Sequence, residues 1–181
     1  MDHVFTERAQ FVIERAQQEA KDLKHQTVGT EHMLLGLLFD DQGFAGQVLR
    51  DNGIYPDAVY EEIVFIVGYG DAISYDVQGY LPYAPRVKEA FKIAQLQAQK
   101  MNATKIGTEH LLIGILYDER SLASRIIDNL GFNAPGIRNE FIKMLEEEEK
   151  NGNKDMRKMK RLERTTNTPL LDTLARDLTA Y

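Results

Sequence analysis

The chain has 181 residues, 43% hydrophobic and 28% charged, enough for one ordinary domain with an appendage or for two small units sharing a core. Its mean hydropathy is −0.39, and no apolar run approaches the roughly 18–20 residues of a membrane helix, so a transmembrane reading is set aside. The formal charge of −6 lacks the positive stripe that a nucleic-acid binder sets against phosphates, and the absence of cysteine removes disulfides and fits a cytoplasmic address.

The opening MDHVFTERAQ has no basic region followed by an apolar stretch, so no secretory signal is read there. Helical spacing then runs from about Thr6 to Leu23, with Phe11, Val12, Ala16, Ala20 and Leu23 on the apolar stripe. A second helix starts at Thr30 and carries Met33, Leu34, Leu37 and Leu38, a nearly continuous apolar run that predicts burial on more than one side. A short third helix is expected over about Phe44–Asn52, stopping at Gly53 because glycine accepts left-handed backbone. The fourth spans about Pro56–Val67, with proline tolerated in the first turn. Gly68–Leu81, rich in Gly, Tyr and Asp, reads as a loop packed over a junction.

After that loop the pattern returns. GTEH at Gly29–His32, followed by MLLGLL, reappears at Gly107–His110, followed by LLIGIL, an offset of 78 residues. At that offset Phe5 falls on Tyr83, Arg8 on Arg86, Ala16-Gln17 on Ala94-Gln95, Gly36 on Gly114, Asp40 on Asp118 and Gly53 on Gly131. No gap is needed from Phe5 to Val67, and about 15 of roughly 63 positions are identical. The chain is therefore a tandem duplication, each copy reading as four helices and the second running from Pro85 to roughly Glu149. Asn151–Thr168 is polar and charged and reads as a linker. Its basic cluster Lys154–Arg164 lies beside the acidic run Glu146–Glu149, the mark of a solvated segment rather than a nucleic-acid patch. Leu170, Leu171, Leu174 and Leu178 then regain apolar spacing, too short a piece for a core of its own.

The repeated tetrapeptide has a local explanation. Glycine supplies backbone freedom, threonine is a good N-cap, and Glu31 and Glu109 place negative charge in the first helical turn. His32 and His110 read as hydrogen-bonded packing residues, since they lack the i, i+4 spacing of a zinc pair. A second reading starts from the carboxylates, which can each receive a planar guanidinium through paired charge-assisted hydrogen bonds. The starts of the first helix in each copy, Phe5-Thr6-Glu7-Arg8 and Tyr83-Ala84-Pro85-Arg86, offer free amides to an anion. Enzyme signatures are missing: there is no GxxxxGK[ST] loop, GYGDAI at Gly68–Ile73 lacks the strand and lysine context, and no serine sits in a nucleophile elbow.

The stretches FTERAQFVIERAQQEA, HQTVGTEHMLLGLL, YAPRVKEAFKIAQLQA and IGTEHLLIGIL closely resemble the N-terminal double repeat of Clp AAA+ unfoldases, with the ClpC type nearest. The tail NTPLLDTLARDLTA resembles the start of the first ATPase domain of that type. The resemblance implies an all-α domain of two pseudo-symmetric four-helix repeats, 1–67 and 83–149, joined by a loop at 68–82. A charged linker at 150–168 and a truncated ATPase start at 169–181 would follow. It implies a domain that captures misfolded or marked substrates and docks adaptors of the MecA and McsB kinds for an unfoldase feeding the ClpP protease. The fragment would need no cofactor and be monomeric and non-enzymatic, with ATP and magnesium belonging to the full-length protein. The ligand the resemblance implies is phosphoarginine, held by one pocket per repeat. Glu31 would take the guanidinium and Thr6 stand near the phosphate in the first; Glu109 and Ala84 would be their counterparts in the second, where the missing hydroxyl weakens or alters the pocket. The alternative is an adaptor-docking and regulatory scaffold with weak or no phosphoarginine binding.

Overall fold

The computed structural model describes residues 4–71 and 79–165, with side chains through Asn151. Among them are eight α-helices and no sheet: α1 Glu7–Asp22, α2 Thr30–Phe39, α3 Phe44–Asp51, α4 Pro56–Ile66, α5 Pro85–Lys100, α6 Thr108–Tyr117, α7 Leu122–Asn129 and α8 Ala134–Thr165. The class is all-α, as the sequence led us to expect, and each of α5 to α8 begins at the duplication offset from its counterpart among α1 to α4. The chain divides into two units, Met1–Arg138 and Asn139–Tyr181, with the boundary inside α8. That helix continues to Thr165, so the stretch read as a linker is helical as far as that residue. The ATPase start expected at 169–181 lies outside the described residues, as does 72–78 of the inter-repeat segment.

The central helices of the first unit are α2 and α6. Every residue from Thr30 to Leu38 is buried, and so is every residue of α6 from Thr108 to Leu116 except Glu109. α2 packs against α1, α3, α4, α6 and α7, which is why its sequence carries no polar face. The outer partner of each central helix comes very close. A methyl group on Gly36 would stand 2.5 Å from the Val12 carbonyl oxygen of α1, and one on Gly114 2.3 Å from the Ala90 carbonyl oxygen of α5. α1 turns Ala9, Val12, Ile13, Ala16 and Ala20 inward. Phe11 departs from the predicted stripe and is 41% exposed, because it precedes Val12 by one residue and so points about 100° away around the helix. Its ring lies under the Arg8 guanidinium instead.

Helix ends repeat as the duplication demands. α3 and α7 stop before Gly53 and Gly131, both at φ 95, and Lys24 and Asn102 take matching left-handed conformations after α1 and α5. An ion pair joins Arg8 to buried Asp40 in the first copy and Arg86 to the more open Asp118 in the second.

The two copies are interlocked through short parallel bridges, Phe5 with Ile106 and Val28 with Tyr83. The Thr6 amide donates to the Ile106 carbonyl at 2.9 Å and the Ile106 amide to Val4 at 2.7 Å. Likewise the Val28 amide donates to Pro82 and the Ala84 amide to Val28, each at 2.9 Å. The segment entering α1 therefore runs beside the segment entering α6, and the segment entering α5 beside the one entering α2. The strap leading back from the inter-repeat loop is held on α1 by the buried Gln17 amide, which donates to the Leu81 carbonyl at 2.9 Å and accepts from the Leu81 amide at 2.8 Å.

Candidate functional site

The local physics of GTEH differs from the sequence reading in three respects. Gly29 and Gly107, rather than the threonines, are the N-caps of α2 and α6. Thr30 occupies the first helical position and its hydroxyl accepts from the Ala123 amide of α7 at 3.1 Å, a link between the two copies. The glycines are not there for backbone freedom either, since φ −100 and ψ 176 at Gly29, and φ −98 and ψ 179 at Gly107, are extended values open to any residue. What they supply is room. A β-carbon on Gly29 would fall 1.5 Å from Glu31 Oε1, and one on Gly107 2.3 Å from Glu109 Oε1. Each glutamate folds its carboxylate back over its own N-cap, into the volume a larger residue would fill.

The histidines complete the turn. His32 Nδ1 accepts from the Gly29 amide at 2.8 Å, and His110 Nδ1 from the Gly107 amide at 2.9 Å. This is the reciprocal half of a capping box, with imidazole at the third helical position where glutamate or glutamine usually reaches back. Both rings are buried and hydrogen-bonded, as packing residues should be. The spacing Gly-x-x-His before an apolar run was the signal for this role, and it was legible once the cap was placed on glycine.

The Glu31 carboxylate reaches a cleft of about 390 Å³ lined by Lys24, His25, Gly29, His32, Asp71 and Ala84, among others. Burial drives its pKa up from 4.5 to about 7, opposed in part by a hydrogen bond from its own backbone amide. His32 stands 3.4 Å away through Nδ1, but that nitrogen is accepting a hydrogen bond, and burial followed by the neighbouring His25 depresses the ring to about 3. The pair is therefore a neutral imidazole beside a carboxyl group, and no counter-charge offsets Glu31 from that side. Its side chain is 10% exposed, against 33% for Glu109.

The cleft also draws residues from both copies together. Ala84, the N-cap of α5, lines the Glu31 cleft. Thr6, the N-cap of α1, is bonded instead to Ile106 at the threshold of Gly107 and Glu109. The physical reason is the pair of parallel bridges, which carries each α1-type helix start to the α2-type helix of the other copy. So Glu31 shares its cleft with Ala84 of the other copy, while Thr6 lies beside the segment that leads into Glu109. The helix starts differ accordingly: the Thr6 hydroxyl accepts from the Ala9 amide at 3.1 Å, whereas α5 begins with Pro85 and has no side-chain cap.

The Glu31 carboxylate and the start of α5 at Ala84, from the other copy, thus line one cleft. The family model described as Clp repeat (R) N-terminal domain matches residues 4–130 and 83–168. The chain belongs to the Clp N-domain family. This Clp N-domain is 39% identical over 175 residues to the ClpC ATP-binding subunit of the ATP-dependent Clp protease of Staphylococcus aureus (strain USA300), covering 96% of the chain and 20% of that relative. It thus spans about a fifth of the length of the curated relative. Among solved structures, the N-terminal domain of the caseinolytic protease associated chaperone ClpD from Arabidopsis thaliana superposes with a TM-score of 0.65 at 28% identity, over 78% of this chain and 94% of that one. The ClpV N-domain, solved in complex with a VipB peptide, shares the fold with a TM-score of 0.57 at 21% identity, over 78% of this chain and 87% of that one.

Proposed function

We propose that this Clp N-domain is the substrate-recognition and adaptor-docking domain of a ClpC-type ATP-dependent unfoldase acting in the cytoplasm with the ClpP protease, and that its clefts receive phosphoarginine side chains on marked proteins. The observation that carries the reading is the carboxylate folded over its N-cap glycine at the mouth of the Glu31 cleft. A guanidinium offers that carboxylate a counter-charge that the neutral His32 beside it does not supply, with a fork geometry suited to two parallel hydrogen bonds. Its phosphoryl group would then face the uncapped start of α5 at Ala84, where the helix dipole favours negative charge. In this reading Glu109 and Thr6 would form the counterpart, with a hydroxyl where the first cleft has a methyl group. ATP and magnesium belong to the remainder of the unfoldase in this reading, and MecA- and McsB-type adaptors are its docking partners.

Calorimetric titration of the chain with free phosphoarginine tests the proposal. Binding should be lost stepwise in Glu31→Ala and Glu109→Ala and be much weaker for plain arginine. No heat with phosphoarginine, or arginine binding equally well, overturns it. A docking scaffold with idle clefts is the second reading, and the burial of Glu31 favours it, because a carboxyl group held near neutral pH is a reluctant cation receptor. Capture of a MecA-type adaptor without any phosphoarginine heat decides for that reading.

A further inference from the structure

Helices α1 and α5 close in the same way. After α1 the Lys24 amide donates to the Lys21 carbonyl and the His25 amide to the Ala20 carbonyl, each at 2.9 Å. After α5 the Asn102 amide donates to the Gln99 carbonyl at 3.1 Å and the Ala103 amide to the Ala98 carbonyl at 2.8 Å. This pair of bonds ends a helix on one residue in the left-handed conformation, most often glycine and sometimes asparagine. The second copy follows the rule with Asn102 at φ 57, but the first places Lys24 there at φ 59. A lysine in that conformation carries a steric penalty that glycine avoids. It gains nothing from the cap in return, because both closing bonds come from main-chain amides. What the lysine contributes lies in its side chain.

Lys24 lines the Glu31 cleft, and its backbone is braced from behind. The Gly70 amide donates to the Leu23 carbonyl at 2.9 Å, and His25 Nε2 lies 2.7 Å from the Gly68 carbonyl oxygen. A β-carbon on Gly70 would stand 1.7 Å from the Lys24 carbonyl oxygen. The connector and the end of α4 therefore make one wall, and the lysine is rooted in it. The charged side chains around the cleft are Lys24 from the connector, Glu31 from α2 and Asp71 from the segment after α4. A phosphoryl group entering such a site meets two carboxyl groups, and the one lysine or arginine among the described lining residues is Lys24. Its side chain is exposed and, among the described residues, forms no ion pair. The start of α5 in the same cleft offers no side-chain hydroxyl, since its N-cap is Ala84.

We propose that Lys24 is the phosphoryl-binding cation of the Glu31 cleft, supplying a charge-assisted hydrogen bond where Ala84 offers no hydroxyl, and that it selects a phosphorylated guanidino group over a plain one. The identity of the ligand rests on the reading given under Proposed function, whereas the anion-binding role of Lys24 is measurable with phosphate alone. The left-handed lysine is then a residue kept for its charge at the expense of the cap, and the neutral Asn102 marks the copy in which that charge is missing.

The test is amide NMR titration of the full chain carrying Glu109→Ala, at constant ionic strength, with inorganic phosphate, phosphoarginine and arginine in turn. Phosphate should move the Lys24 and Arg86 amide peaks. Lys24→Asn, which copies the residue of the second copy, should weaken phosphate and phosphoarginine at least tenfold and leave arginine level or tighter. Lys24→Arg should restore both anions, and the Tm of Lys24→Asn should hold or rise because asparagine suits the left-handed position. No response to phosphate in the parent, or equal affinities for phosphate or phosphoarginine in Lys24→Asn, overturns the role of Lys24. A drop in Tm accompanying the loss of binding also overturns it, since the lysine would then be a structural partner of the wall. Lys24-dependent phosphate binding without phosphoarginine binding retires the functional reading and leaves the anion site standing. Phosphoarginine bound equally by parent and Lys24→Asn does the reverse.

Discussion

Glu31→Gln separates the electrostatic account of the cleft from a merely geometric one. The carboxyl pKa rises from 4.5 to about 7 on folding, chiefly through burial. A carboxyl group raised in this way favours the folded state only while protonated, so stability falls as pH climbs from 4.5 toward 7 and is level above. At about 1.4 kcal/mol per pKa unit the whole effect is on the order of 3 kcal/mol. Glutamine keeps the shape and cannot ionise. Urea unfolding of both proteins at pH 5 and pH 8 should show the advantage of the variant growing by about 2–3 kcal/mol, or roughly 6–9 °C in Tm at ~3 °C per kcal/mol. All other titrating groups are common to both proteins and cancel in the difference. An advantage that is the same at both pH values, or a variant less stable than the parent at pH 8, refutes the reasoning. The same variant should lose phosphoarginine binding at the first cleft, making Glu31 a residue retained against stability.

Three further outcomes follow from the cap geometry and the strap. Ala84→Thr should stabilise α5 by about 0.5–1 kcal/mol in thermal unfolding, because Ala84 at φ −61 and ψ 152 nearly matches Thr6 at φ −66 and ψ 164, and it should tighten phosphoarginine binding at the Glu31 cleft in calorimetry. Gly29→Ala should leave the backbone undisturbed yet push the Glu31 carboxylate off its N-cap, so that affinity at the first cleft drops at least tenfold while far-ultraviolet circular dichroism is unchanged. Gln17→Ala should cost about 2–4 kcal/mol in urea unfolding, since the buried amide and carbonyl of Leu81 both lose their partner.

The parts of the molecule governed by local patterns were legible in the sequence. Apolar spacing located all four helices of each copy, and the fixed offset found the duplication, because identical local chemistry recurs wherever the same turn is built. Gly53 and Gly131 ended their helices as their left-handed angles require. The parts that failed depend on space rather than on spacing. That Gly29 makes room for a carboxylate, that Thr30 reaches Ala123, and that Thr6 faces the other copy's turn are facts about tertiary neighbours. Phe11 misled for a smaller reason, since one residue of phase is enough to carry a side chain from the core to the rim of its helix. His25 carried no signal at all, because the offset sets it against Ala103 and its partner at Gly68 lies far along the chain.

The exchange of helix entrances through the bridges of Phe5 with Ile106 and Val28 with Tyr83 means that the Glu31 cleft is not the property of one copy. It is a joint product, with its carboxylate from one half and its helix start from the other. Severed into two peptides, the halves would lose that cleft until they found each other. The duplication behaves as an internal dimer in which each half completes a feature begun in the other.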